Sequence, residues 1–356
     1  MAEPDLIRLL LTTPWPEVPA CLARHEAEAQ LLSDEALDRL RSRMPDTGMR
    51  SGHPSAADAW ILLVLLRQGG RELAIHHLRF VHSSSAVPFT TSVDDREDLL
   101  TEALISGLIV TDALRTPVLV DQLVALTEAA EELEQASTQL MALVATTRST
   151  AFTLTGDIAH ADRSIDAFRT VVAPPDGIGP LRDSGLTGAR SALALLLAAR
   201  DRATTRPGSD HDDLLEAIAI ARASASLEPP LRDEDELAAN TLLTLLAELY
   251  QVTDDVAVVD DALAVLDRIA DRPPTVGQLA ARVLWLQLRY DGSNDVDDLT
   301  RALLTVDEAL TRAVTEPPAT ETGHHDDVPW LRSARRHILL ALSDLRKRPG
   351  EGTDPT

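Results

Sequence analysis

Residues 240–269 read NTLLTLLAELYQVTDDVAVVDDALAVLDRI. Leu243, Leu246, Ala247 and Tyr250 fall at i, i+3, i+4 and i+7, the spacing of one face of a helix. Beyond the polar Thr253-Asp254-Asp255, the residues Ala262, Leu266 and Ile269 repeat that spacing. Two amphipathic helices joined by a short polar turn form a hairpin that cannot bury its own apolar stripe, so such units bury it by stacking side by side.

The same register recurs outward from this stretch. Phe152, Tyr250 and Tyr290 each lie twelve residues before a small residue, Ser164, Ala262 and Ala302. The unit after residue 269 carries Val283, Leu286, Gln287 and Tyr290, then Ala302, Val306 and Ala309, with the larger Gln287 where Ala247 stands in the first. An earlier unit offers Ser164, Phe168 and Val171, and another Ala217, Ala221 and Ser224 behind a longer loop. Pro-Pro pairs fall at 174–175, 229–230, 273–274 and 317–318, the last three 44 residues apart. A fixed period of this size marks a repeat array.

The pattern of a large residue, Leu, a small residue and Tyr, followed by a small, a bulky and a small residue before Pro, resembles the tetratricopeptide repeat. With Thr155-Gly156-Asp157 ahead of a helix, the Pro-Pro stops and an N-terminal run holding Trp15-Pro16-Glu17 and Leu31 to Ala36, the chain is similar to actinobacterial tetratricopeptide arrays often fused to a caspase-like CHAT peptidase domain. The resemblance covers residues 6–45 and 140–346. It implies an all-α, right-handed α-solenoid of helical hairpins with an irregular helical N-terminal region, and a role in holding other proteins. In the resembling fused proteins the catalytic His and Cys lie in a separate domain after the repeats, so the resemblance leads to the expectation of no protease activity in cis.

Composition agrees with a helical class. Hydrophobic residues make up 44% but aromatics only 3%, because Ala and Leu, the best helix formers, supply most of the apolar surface. A net charge of −24 argues against non-specific nucleic-acid binding, which needs a basic face, and favours a basic or neutral protein partner. Cys21 is the single cysteine, which excludes an intrachain disulfide and reads as a buried, inert thiol. No apolar run reaches membrane-spanning length and the start lacks a secretory pattern, so a cytoplasmic location is expected.

The boundaries expected are an irregular helical region over 1–116, the repeat array with a terminal capping helix over 117–348, and a disordered tail over 349–356. Within the first region, helices are expected at 56–67, 72–82 and 94–109, with a polar loop over 83–92. In the terminal helix, Leu331, Ile338, Leu339 and Leu342 should dock on the last repeat.

Candidate sites are few. Most acidic clusters, among them Asp212–Asp213, Asp233 to Glu236, Asp254–Asp255, Asp260–Asp261, Asp297–Asp298 and Asp326–Asp327, read as helix caps. Adjacent His76–His77 and His324–His325 point about 100° apart on a helix, whereas helical zinc sites use i, i+4, so no metal and no cofactor is expected. Gly177-Ile178-Gly179-Pro180 lacks the strand and the amide a phosphate loop needs. Partner contacts are expected on the first helix of each pair: Asn240 and Thr244 at i, i+4, Arg282 and Arg289 at i, i+7, and Gln287 off that line. The reading is a non-catalytic interaction scaffold. The runner-up is an all-helical enzyme or small-molecule sensor with its site in 46–117, where His53, Asp58, His76, His77 and His82 gather.

Overall fold

The structure, a computed structural model, describes residues 3–42, 53–174, 179–205, 210–225, 233–269, 274–315 and 324–347. Among them every regular element is helical and there is no strand. The Pro-Pro stops other than Pro174 and Pro274, and the tail, lie outside the described residues. No described helix is long and apolar enough to cross a membrane.

The chain divides into two compact units, residues 1–189 and 190–356. The first unit opens with α1 (Glu3–Thr12), α2 (Val18–Arg24), α3 (Glu26–Gln30) and α4 (Asp34–Arg41), which gather on α5 (Ala56–Ala86). It continues with α6 (Val93–Leu114), α7 (Val120–Glu131), α8 (Thr138–Thr155) and α9 (Ile158–Val172). α10 (Asp183–Thr204) spans the division. The second unit holds α11 (Asp212–Ser224), α12 (Asp233–Thr253), α13 (Val256–Ile269), α14 (Val276–Ser293), α15 (Val296–Thr315) and α16 (His324–Lys347), and from α11 onward each helix packs against the next.

α5 is two arms rather than one rod. The separation of 19 positions from Asp58 to His77 would span roughly 28 Å of straight helix, yet His77 Nε2 lies 3.1 Å from Asp58 Oδ1. The chain doubles back at Gly70, whose φ of 69° and ψ of −158° suit glycine alone. The two helices expected at 56–67 and 72–82 are these arms. The polar loop expected over 83–92 is corrected: the second arm stays helical to Ala86 and a 3-10 turn covers Val87–Phe89. Serines satisfied by helix carbonyls explain the difference, since Ser84 Oγ donates to Phe80 O at 2.6 Å and Ser85 Oγ to His82 O at 2.8 Å. Ser83 Oγ donates instead to Glu102 on α6, at 3.0 Å.

The second arm packs closely against α6. Phe80 is fully buried, and a Cβ on Gly107 of α6 would stand 2.6 Å from Leu123 Cδ2 and 2.9 Å from the Phe80 ring. α6 can approach this closely only because residue 107 has no side chain.

Three hairpin turns share one construction. At Gly156, Asp254 and Asn294 the backbone enters the left-handed region, φ 72°, 52° and 57°, and the amide donates to the carbonyl of the aromatic four residues earlier, Phe152, Tyr250 or Tyr290, at 2.7 to 2.8 Å. The amide of the next residue, Asp157, Asp255 or Asp295, donates to the side-chain oxygen of Thr155, Thr253 or Ser293. Its own carboxylate then accepts the amide two residues on, at 3.0 Å, and caps the second helix.

Ser164, Ala262 and Ala302 are fully buried, and Ser164 Oγ donates to Ala145 O across the α8–α9 pair at 2.6 Å. Phe152, Phe168, Leu246, Leu266 and Leu286 are buried, while Leu243, Ala247, Tyr250 and Tyr290 are half-buried. Ala262→Leu should therefore destabilise the second unit by about 1–3 kcal/mol, because the added atoms have no space between α12 and α13. A chemical-denaturation midpoint equal to wild type would contradict that packing.

In α16, Leu331 and Ile338 are buried against the preceding helices as expected, but Leu339 is exposed and Leu342 only half-buried. Ala334 takes the third docking position, completing an i, i+3, i+7 stripe with Leu331 and Ile338.

Candidate functional site

On the second unit the first helices of the hairpins present the expected partner positions unevenly. Asn240 and Thr244 of α12 are exposed, and Gln287 of α14 is half-buried. Arg282 pairs with Asp267 of α13. Arg289 is held more firmly: its Nε and Nη2 donate to Asp298 of α15 at 2.9 and 2.5 Å, and Nη1 donates to Asp260 of α13 at 2.8 Å. These bonds to Asp298, opposed by burial and reinforced by Asp260, push the guanidinium further above its ordinary value.

Both arginines wall a cleft of about 320 Å³ among α13, α14 and α15, beside Arg301 and the exposed Leu304. The same fork recurs two hairpins earlier, between α10 and α11, where Arg200 Nε and Nη2 donate to Asp213 at 2.7 Å each. The acidic residues therefore split in role. Asp255 caps a helix as expected, but Asp260 and Asp261 lie inside α13 and pair with Arg289 and Arg222, and Asp298 is a buried partner rather than a cap. Asp326 and Asp327 lie in the first turn of α16. Sequence reading missed Leu195, Leu237 and Leu284, exposed leucines on α10, α12 and α14. The signal was present for one of them, since Leu237, Asn240 and Thr244 follow i, i+3, i+7.

In the first unit the gathered histidines divide between two environments. His77 is fully buried and stacks on Phe80 at 6.2 Å between ring centroids, and its Nε2 meets Asp58. The other Asp58 oxygen accepts the Ser55 amide at 2.9 Å and hydroxyl at 2.6 Å, closing a capping box at the start of α5. Burial raises the Asp58 carboxyl, but the His77 hydrogen bond and charge together with Ser55 outweigh it and leave it below its ordinary value. The stability this contributes is present above the unfolded value near 4 and is lost as pH falls through the lower folded value. Asp58 thus commits three of its roughly four acceptor sites to contacts within the fold, two on one oxygen and one on the other.

His53, Asp58 and His82 do converge on one cavity of about 740 Å³. One wall is Trp15, Pro16, Pro19 and Leu22, from the turn before α2 and from α2 itself. The other is the second arm of α5, where Arg71, Ile75, Leu78, His82 and Ser85 follow i, i+4, i+7, i+11 and i+14 along one face. Arg79 adds a second guanidinium at the rim. His76 does not line it.

Cys21 is buried, 3.9 Å from Thr13 Oγ1, as an inert core thiol would be. Trp60 and Trp285 are core residues, and the Arg41 guanidinium stands 5.5 Å over the Trp60 ring. Compared with protein-family models, with curated proteins and with solved structures, the chain matches none, so what it does has to be argued from these residues themselves.

Proposed function

We propose that this chain is a tetratricopeptide-like scaffold that holds a partner protein or peptide on its hairpins and performs no chemistry of its own. The observation that carries the reading is that each first helix in the second unit spends its apolar face on its neighbours and still exposes one leucine, Leu195, Leu237 or Leu284. Apolar anchors set among polar residues are how a helical-repeat surface grips a peptide. Asn240 and Thr244 supply hydrogen-bonding capacity beside Leu237 on α12, while Arg282 and Arg289 shape the neighbouring cleft through their carboxylate pairs. The strong negative charge draws a basic or neutral partner by long-range attraction. A separately encoded peptidase or signalling enzyme is the kind of protein such a scaffold would position.

The reading is tested by placing a photo-crosslinking amino acid at Thr244 and at Leu284 in the native cell, with exposed Leu31 as a control position. The expected result is one discrete adduct shared by the first two positions and missing from the control. Adducts no different from the control, or a stoichiometric metal or cofactor retained by the purified chain, would overturn it.

A further inference from the structure

We propose that the cavity between the α2 segment and the second arm of α5 binds a small amphiphile, with an apolar body and a single anionic head group of the carboxylate or phosphate type. At about 740 Å³ the cavity has the volume of a small-molecule site, in the range of about 300–1,000 Å³. Its walls match such a body: Trp15, Pro16 and Pro19 face Ile75 and Leu78. Rigid prolines and an aromatic ring lose little freedom when a ligand settles on them.

The charge around the cavity runs against the rest of the molecule. The chain carries a net −24, and its arginines are typically paired with Asp or Glu, as Arg67, Arg200 and Arg289 are. Arg71 and Arg79 nevertheless meet no carboxylate among the described residues, and both are exposed at the cavity. The one lining carboxylate among the described residues, Asp58, is engaged by His77 and Ser55. His82, three residues beyond Arg79, lies next to it on the helix. Two unpaired guanidiniums and an imidazole beside an apolar hollow complement an anionic head joined to a greasy tail, and they disfavour a cationic or neutral one. This site is independent of the hairpin surface of the second unit, so either reading can fail without the other.

The test is calorimetric titration of the full chain with decanoate and with decyl phosphate below their micelle concentrations. Decanol and decyltrimethylammonium serve as the neutral and cationic comparisons. Binding of one or both anions at one per chain, with the comparisons about tenfold weaker or worse, is expected, and whichever anion binds tighter identifies the head group. Arg79→Gln/His82→Gln should weaken the anions by about tenfold while leaving decanol unchanged. Leu78→Trp should block all of them by filling the hollow, and melting curves will verify that both variants fold. Equal binding of decanol, anion affinity that ignores both variants, tighter binding of an acidic leucine-rich peptide than of either anion, or no heat from any probe would overturn the proposal.

Discussion

Asp298→Ala is expected to lower the unfolding free energy by about 3 kcal/mol. Asp298 is 2% exposed and accepts both arms of the Arg289 fork. Removing it strands a partly buried guanidinium with only Asp260, whose carboxylate is 59% exposed and well screened. Asp260→Ala, by the same argument, should cost under about 1 kcal/mol. Replacing both members of the buried pair by Arg289→Met and Asp298→Leu should recover most of the loss, because the desolvation of two charges disappears along with their attraction. Urea denaturation of the four proteins measures this. An Asp298→Ala midpoint no lower than that of Asp260→Ala would mean the fork contributes nothing.

Gly70→Ala should cost about 2–3 kcal/mol, through backbone strain alone. No side chain crowds the position beyond the Glu26 carboxylate oxygen 3.6 Å from a built Cβ, so sterics add little. What alanine cannot adopt is φ 69° with ψ −158°. Because that turn brings the second arm of α5 back toward the first, the loss should extend to the Asp58–His77 bond, and hydrogen exchange at the amides of residues 71–80 should accelerate with it. Gly69→Ala, where the Leu73 side chain rather than the backbone must give way, is the comparison. Equal midpoints for the two alanine variants would remove the special role given to Gly70.

The helical hairpins were legible because each one writes its apolar face at a 3.6-residue period, and because Phe152, Tyr250 and Tyr290 mark the last turn of their helices. The doubling back of α5 was half legible. Gly69-Gly70 separates two helical patterns, but nothing in the sequence says that Asp58 and His77 touch across them. Ser83 to Ser85 misled because serine reads as a loop former, and its ability to bond back onto its own helix leaves no trace in the pattern. Leu339 misled for a simpler reason: it sits at i+1 from Ile338, and a helix turns about 100° between the two.

The candidate site was less legible still. The cavity joins Trp15 to His82 and Ser85, and such long-range proximity has no local signature. Which arginines are neutralised, Arg289 by Asp298 but not Arg79, depends on packing between helices that a single sequence does not list pair by pair.

The three matching turns have a consequence for how the chain could grow or shrink. Each reversal draws its bonds from within eight consecutive residues, Tyr250 to Ala257 in one case, and asks nothing of distant segments. A hairpin excised or duplicated together with its corner therefore carries its own steering, and insertion by whole pairs disturbs only the two faces at the seam.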